Sequence, residues 1–496
     1  MVEKQQKKEE YTQIVKSTGL LGGVQGITLF VSLVKNKVIA VLLGTSGIGL
    51  ISVLNSIITM VGSFTNIGIS SSAVREVAEV IDQKDNLQLV IKKIRNWTAL
   101  TAIIGTLIGL VSAPLLSYLT FNNYDYTFSL IMLSPVIGLT SFSGGELALL
   151  KGIRRLNQIA LISIYGSILV ICISIPLYCW LGMEGIVPSL LFSAIAMACL
   201  TAHYSFKYMP LKISDYSFVY LRKGSNLIKL GVSMVFAAIL GSLVEYIIRL
   251  IMLKSGDTSM VGLYNAGYAI VVTYAGLIFV AMSTDYFPRL SAVNRDTKQM
   301  VILINRQIEI TLLLIIPVVV ILVLFSPLII PLLYADSFLP VVGMIQFASL
   351  NLLLRAFIWP IEYAALAKGD SLLYLFQELS YNVFFVLVFL LGYDFFEIKG
   401  AGLALSVSAI FNLIVVSLVG YFRYGYVISK EVFNIVLLII PFYVSAIIII
   451  LLNISGILYW VISSICVVSC LSLSLYLLNK STDIIPVLFN KILKKK

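Results

Sequence analysis

Apolar runs of about twenty residues recur from one end of this chain to the other, and that repetition constrains its fold more than any other feature. A bilayer core takes roughly 20 apolar residues per helical crossing. With 59% hydrophobic and 12% charged residues among 496, the chain has more apolar surface than a soluble core could bury. The expected fold class is therefore an all-α polytopic membrane protein. The runs predict spans near 17–43, 47–70, 97–119, 127–150, 159–181, 184–206, 227–253, 260–286, 309–333, 341–367, 372–392, 399–421, 433–453 and 457–478.

A formal net charge of +11 raises the question of a nucleic-acid partner. The basic residues are instead spread by topology, as the positive-inside rule requires, so no nucleic acid is expected. With the N-terminus cytoplasmic, alternate connections carry groups such as Lys92, Lys93 and Arg95, then Lys151, Arg154 and Arg155. Of the 35 Lys and Arg, only Lys254 and Lys399 fall in outer connections, and four fall within spans. An even number of spans with both termini cytoplasmic fits this distribution. The first apolar segment runs well past a signal-peptide core and reads as an uncleaved anchor. The cysteines Cys172, Cys179, Cys199, Cys466 and Cys470 all fall within spans, as small apolar residues without the partners a metal site needs.

The four cations within spans are Lys35, Lys37, Arg249 and Arg355. A charge at the centre of a spanning helix costs roughly 2.5 to 3.5 kcal/mol on insertion scales, so such residues mark functional sites by default. Arg355 lies some dozen residues from either end of its span, about 18 Å from an interface, too far to snorkel. Glu362, seven residues on, shares nearly the same face as partner or as separate protonation site. Arg249 lies near the outer end of its span with Glu245 four residues before it, the spacing of a local ion pair. Lys35 and Lys37 project about 200° apart. Lys37 is the choice for a cavity, and Lys35 for snorkelling outward.

Asp285, Glu309, Glu378 and Glu146 fall near cytoplasmic helix ends, where a solvated carboxylate is ordinary. Asp285 and Glu378 join Glu245 and Glu362 as candidates for coupling or ion pairing. His203 reads as an interfacial residue. Tyr264, Tyr268 and Tyr274 are candidates to stack on a sugar ring, against a core-packing alternative. Pro135, Pro176, Pro317, Pro327 and Pro360 each remove a helical donor and are candidate bends. No Walker loop, His-Glu-x-x-His, nucleophile elbow or dinucleotide glycine motif in a strand-helix context occurs, so no catalytic residue, metal or cofactor is expected.

The two halves repeat a pattern. Asn36-Lys37 through Gly44, then Gly47-Ile48-Gly49-Leu50, is echoed by Arg249 through Leu253, then Val261-Gly262-Leu263-Tyr264. This suggests two six-helix bundles of like orientation with a substrate site between them. The expected organisation is a first lobe over 1–210, a cytoplasmic linker over 211–226, a second lobe over 227–425, and an appended hairpin with a basic tail over 426–496. The Ile, Val and Leu richness of the hairpin suggests contact with lipid or a lipid tail.

These motifs, with Leu150-Lys151-Gly152, Pro288-Arg289-Leu290-Ser291, Arg355 upstream of Ala367-Lys368, Glu378 and Gly400-Ala401-Gly402-Leu403, resemble the O-antigen and enterobacterial-common-antigen type flippases. These are the polysaccharide transporters of the multidrug/oligosaccharidyl-lipid/polysaccharide exporter superfamily. The resemblance covers about residues 15 to 425. It implies a V-shaped pair of six-helix lobes in a bacterial inner membrane, with a polyprenyl-pyrophosphate-linked oligosaccharide as cargo. It matches Lys37, Arg249 and Arg355 to the family's basic positions. It further implies membrane lipids, a polysaccharide polymerase and a chain-length regulator as partners. The extra hairpin is shared with lipid II flippases, which stay open as a reading beside cation-coupled drug exporters and, in another class, a membrane scaffold.

Overall fold

The computed structural model describes residues 2–66, 68–81, 83–210, 232–452, 454 and 456–482. The expected linker at 211–226 and the C-terminal tail from 483 lie outside the described residues. Fourteen α-helices carry the described chain, and no strand occurs among the described residues. In chain order they are α1 (Val2–Asn66), α2 (Ile69–Glu79), α3 (Lys84–Phe121), α4 (Thr127–Gly152), α5 (Leu156–Leu181), α6 (Ile186–Tyr208) and α7 (Val232–Ser255). There follow α8 (Thr258–Tyr268), α9 (Leu277–Ala292), α10 (Thr297–Leu333), α11 (Val342–Lys368), α12 (Ser371–Tyr424), α13 (Lys430–Leu451) and α14 (Ile457–Thr482).

Among the described residues, eleven helical runs are long and apolar enough to cross a bilayer. The sequence predicts fourteen spans; the structure has fewer, longer runs because helical geometry carries through three connections. Gly23–Asn66, Leu156–Tyr208 and Ser371–Tyr424 run to 44, 53 and 54 residues, at least twice the roughly 20 of one crossing. Each contains a break. Gly44 takes φ 64°, ψ −162°, a conformation open to a residue without Cβ. A 3₁₀ turn, Gly182–Gly185, joins α5 to α6. Glu397 breaks α12 at φ 50°, ψ −131°.

The chain divides into two compact units. The first comprises Met1–Gly262 with Leu333–Ala335; the second comprises Leu263–Leu332 with Asp336–Lys496. Within the first unit, α3 and α4 pack through small residues. A Cβ on Gly105 or Gly109 would lie within 3 Å of Ile137. One on Gly138 would meet Thr106 and the Ala102 carbonyl. In a membrane, where lipid is as apolar as leucine, such close approach replaces hydrophobic drive with dispersion. The opposite face of α3 exposes Ile103, Leu107, Val111 and Leu115, four residues apart, as a stripe suited to acyl chains.

The repeated motifs meet in the same unit. A Cβ on Gly49 would sit 1.7 Å from the Thr258 carbonyl oxygen, and one on Gly262 would sit 1.9 Å from that of Thr45. The Thr45 and Ser259 hydroxyls hydrogen-bond at 2.5 Å beside them. The contact is reciprocal, each motif placing its glycine on the other's backbone, as in a self-complementary two-fold packing.

In the second unit the prolines do not interrupt their helices. Pro317 and Pro327 leave the carbonyls of Leu313 and Val323 without intrahelical donors, and neighbours supply them. Ser474 of α14 donates to Leu313, and Gln346 of α11 donates to Val323 at 3.2 Å. Tyr459 of α14 also donates to the Leu324 carbonyl at 2.6 Å. One face of the C-terminal hairpin is thus bonded to α10, while Val468 and Leu475 on α14 stay exposed. Helix is continuous through Pro135, Pro176 and Pro360 as well. The backbone breaks fall instead at Gly44 and Glu397, because a proline whose freed carbonyl finds a partner need not unwind its helix.

Candidate substrate site

Arg355 stands at the midpoint of α11, where a spanning helix is furthest from either surface, and its side chain is exposed. Asn351, Arg355, Ile358 and Glu362 recur at helical spacing and line one wall of a cavity of about 50 Å³ within the second unit. The facing wall comes from α12, with Glu378 and Tyr381 on its first half and Ala409 and Asn412 after the Glu397 break. Tyr374 donates to Glu378 Oε1 at 3.0 Å. The side-chain Oδ1 of Asn412 is buried with no hydrogen-bond partner among the described residues. Arg355 and Glu362 share the cavity, and no ion pair within 4 Å joins them among the described residues. This volume takes a few water molecules at most. The guanidinium thus shares with Glu362 and Glu378 a cavity too small to hold a headgroup.

A stretch of π-helix, Ala269–Tyr274, follows α8 and contributes Val271 and Val272 to a smaller cleft that also touches Asn351 and Arg355. The wider π turn marks functional positions in many helices. Periodicity gives no sign of it, because an extra residue per turn leaves an apolar run apolar. Asn351, Tyr381 and Asn412 are the other site residues absent from the sequence reading. Asn351 and Tyr381 lie one turn from Arg355 and Glu378 on the same faces, whereas Asn412, remote in sequence from both, reaches the cavity only through packing.

The remaining cations belong to the first unit. Lys35 and Lys37 are both half-buried on α1 ahead of the Gly44 break, so burial does not set one apart. Arg249 on α7 is 8% exposed. Its Nε donates to Ser52 Oγ of α1 at 2.7 Å, and its Nη1 donates to the Glu245 carbonyl at 2.8 Å. The Glu245 carboxylate completes an i,i+4 ion pair at 3.4 Å. The local pair allowed by the spacing is therefore made, and Arg249 additionally fastens α7 to α1.

Several expectations change in the structure. Asp285 is not among them: it stays an exposed carboxylate and makes one of the two roles named for it, a local ion pair with Arg289 one turn on at 2.6 Å. Tyr264 is 3% exposed and packs edge-on against Phe389, with Tyr268 at 5.7 Å, so its ring has no open face for a sugar. Tyr268 precedes the π stretch, Tyr274 ends it, and both are half-buried. Glu146 is no solvated carboxylate. It is 2% exposed and accepts two bonds from Arg95, at 2.8 and 3.1 Å, and one from Ser205 at 2.5 Å. The expectation failed because α6, remote in sequence, brings its hydroxyl and its C-terminal carbonyls over a helix end that would otherwise face water.

Comparison with known proteins decides the family. The sequence signature described as polysaccharide biosynthesis protein matches residues 38–343, more than half of the chain. The chain belongs to the polysaccharide biosynthesis protein family. A Shigella flexneri protein provisionally named an O-antigen transporter is 24% identical to this family member over 323 residues, 64% of this chain and 74% of that one. Among solved structures, the lipid II flippase MurJ in an inward closed conformation superposes with a TM-score of 0.72 at 15% identity, over 94% of this chain and 99% of that one. An inward-facing multidrug resistance MATE family transporter superposes at 0.69 with 14% identity, over 80% and 94%. The expected all-helical, multi-pass membrane fold is thus borne out, with eleven candidate spans among the described residues, and the family member is of transporter type.

Proposed function

We propose that this family member is a flippase that carries a polyprenyl-pyrophosphate-linked oligosaccharide from the cytoplasmic to the outer leaflet of a bacterial inner membrane by alternating access. The observation that carries this reading is Arg355, exposed at mid-helix beside Glu362 and Glu378. A permanent cation at that depth is sustained only by water and polar neighbours, and in reduced dielectric it attracts a phosphorylated headgroup more strongly than water allows. The sugar and pyrophosphate travel inside the protein, and the polyprenyl tail stays in lipid. Each of the three long helical runs crosses twice in this scheme, giving fourteen crossings in two six-helix lobes and a hairpin, with both termini cytoplasmic. Glu362 and Glu378, sharing a wall-to-wall cavity with Arg355, are the candidates for proton or cation coupling. Lys37 is the candidate second cation for the pyrophosphate. A polysaccharide polymerase and a chain-length regulator would act on the delivered unit.

A lipid II type cargo is the second reading, favoured by the superposition on MurJ over 94% of this chain. Both cargoes present a polyprenyl pyrophosphate, so Arg355 serves either. Replacing Arg355 by alanine at native expression is expected to abolish surface glycan while the protein remains in the membrane. Normal surface glycan in that strain refutes the site. Loss of viability with intact surface glycan in a depletion strain would transfer the cargo to lipid II.

A further inference from the structure

A second cavity, of about 640 Å³, opens in the first unit among α3, the α4–α5 connection and the end of α6. Its lining includes Lys92, Arg95, Arg154, Arg155 and Tyr208, and no acidic side chain contributes to it among the described residues. Arg95 is neutralised from behind by Glu146 and is fixed by the Met209 carbonyl at 2.8 Å, so it forms a rigid floor. Arg155 lies over the Tyr208 ring at 4.5 Å, and Gln158 holds the Tyr208 hydroxyl at 2.6 Å. Arg154 takes a left-handed backbone, φ 56°, and its side chain stays exposed at the mouth. Ile91 belongs to the apolar part of the wall. By the positive-inside distribution this end of the unit is cytoplasmic.

We propose that this cavity binds the phosphate headgroup of an anionic phospholipid of the cytoplasmic leaflet. Basic pockets between helices at that depth suit such headgroups, and an apolar wall beside the cations suits the glycerol and the first acyl carbons. Arg154 and Arg155 supply forked donors to phosphate oxygens, and Lys92 adds a point charge. The site is separate from Arg355 and does not depend on the transport reading.

The test is native mass spectrometry of the full-length protein in detergent, titrated with phosphatidylglycerol, with phosphatidylcholine, and with inorganic phosphate. Phosphatidylglycerol retention over phosphatidylcholine is expected, falling about thirtyfold in an Arg154→Gln/Arg155→Gln variant, as two basic groups beside an anionic lipid imply. Lys207→Gln, a cytoplasmic lysine outside the cavity, should leave it unchanged. The proposal is overturned if Lys207→Gln weakens binding as much as the double variant. It is equally overturned if phosphatidylcholine binds as well, if millimolar phosphate displaces the lipid, or if a polyprenyl pyrophosphate displaces it at lower concentration.

Discussion

The reciprocal glycine contact makes a sharp prediction. Replacing Gly49 with alanine puts a methyl 1.7 Å from the Thr258 carbonyl oxygen, where real Cβ contacts essentially never fall below 3.0 Å. The obstacle is backbone on both sides, so no rotamer change relieves it, and the helix ends must separate by about 1.3 Å. Overpacking of this kind costs roughly 1–3 kcal/mol. The Thr45–Ser259 hydrogen bond beside it is stretched or lost, adding roughly 0.5–1.5 kcal/mol. Alanine returns about 0.5–1 kcal/mol through its better helix propensity. The net expectation is a loss of about 2 kcal/mol, within a range of about 0.5–4 kcal/mol, read as a lowered midpoint of thermal unfolding in detergent. Gly241→Ala is the internal control, because a Cβ there meets nothing within 4 Å and only the propensity gain remains. Gly262→Ala should resemble Gly49→Ala, and the double variant should cost less than the two together, since the first methyl already opens the contact. If Gly49→Ala unfolds at the same temperature as Gly241→Ala, the reasoning about this contact is wrong.

Three further outcomes follow from the buried polar groups and rings. Arg95→Ala leaves Glu146 buried without its counter-charge and should destabilise the protein by roughly 3–5 kcal/mol, while Arg95→Met with Glu146→Leu should recover most of that loss in the same unfolding assay. Ser52→Ala removes the acceptor of a charge-assisted bond from Arg249 and should cost roughly 1.5–3 kcal/mol; an unchanged melting midpoint would mean the bond fastens nothing. Tyr264→Phe should transport normally, whereas Tyr264→Ala should lose roughly 3 kcal/mol of stability by vacating the packing against Phe389. A Tyr264→Ala protein of unaltered stability but weakened cargo affinity would restore the sugar-stacking role.

The all-helical membrane fold was legible in the sequence alone, as was the choice of Arg355 as a candidate site residue. Hydrocarbon admits long apolar helices and penalises a lone guanidinium at mid-depth whatever the neighbours are, so those features need no knowledge of packing. The Arg249–Glu245 pair was legible too, because four residues along one helix fix two side chains on one face. What lies opposite each face was decided by tertiary structure. Glu146 looked solvated until α6 covered it, Phe389 decided between sugar stacking and core packing for Tyr264, and Ser474 met the Leu313 carbonyl orphaned by Pro317, a candidate bend. Asn351, Tyr381 and Asn412 became site residues only through the approach of α11 to both halves of α12. Periodicity records which residues share a helix face, but only the packing of helices distant in sequence says whether that face meets lipid, water or another side chain.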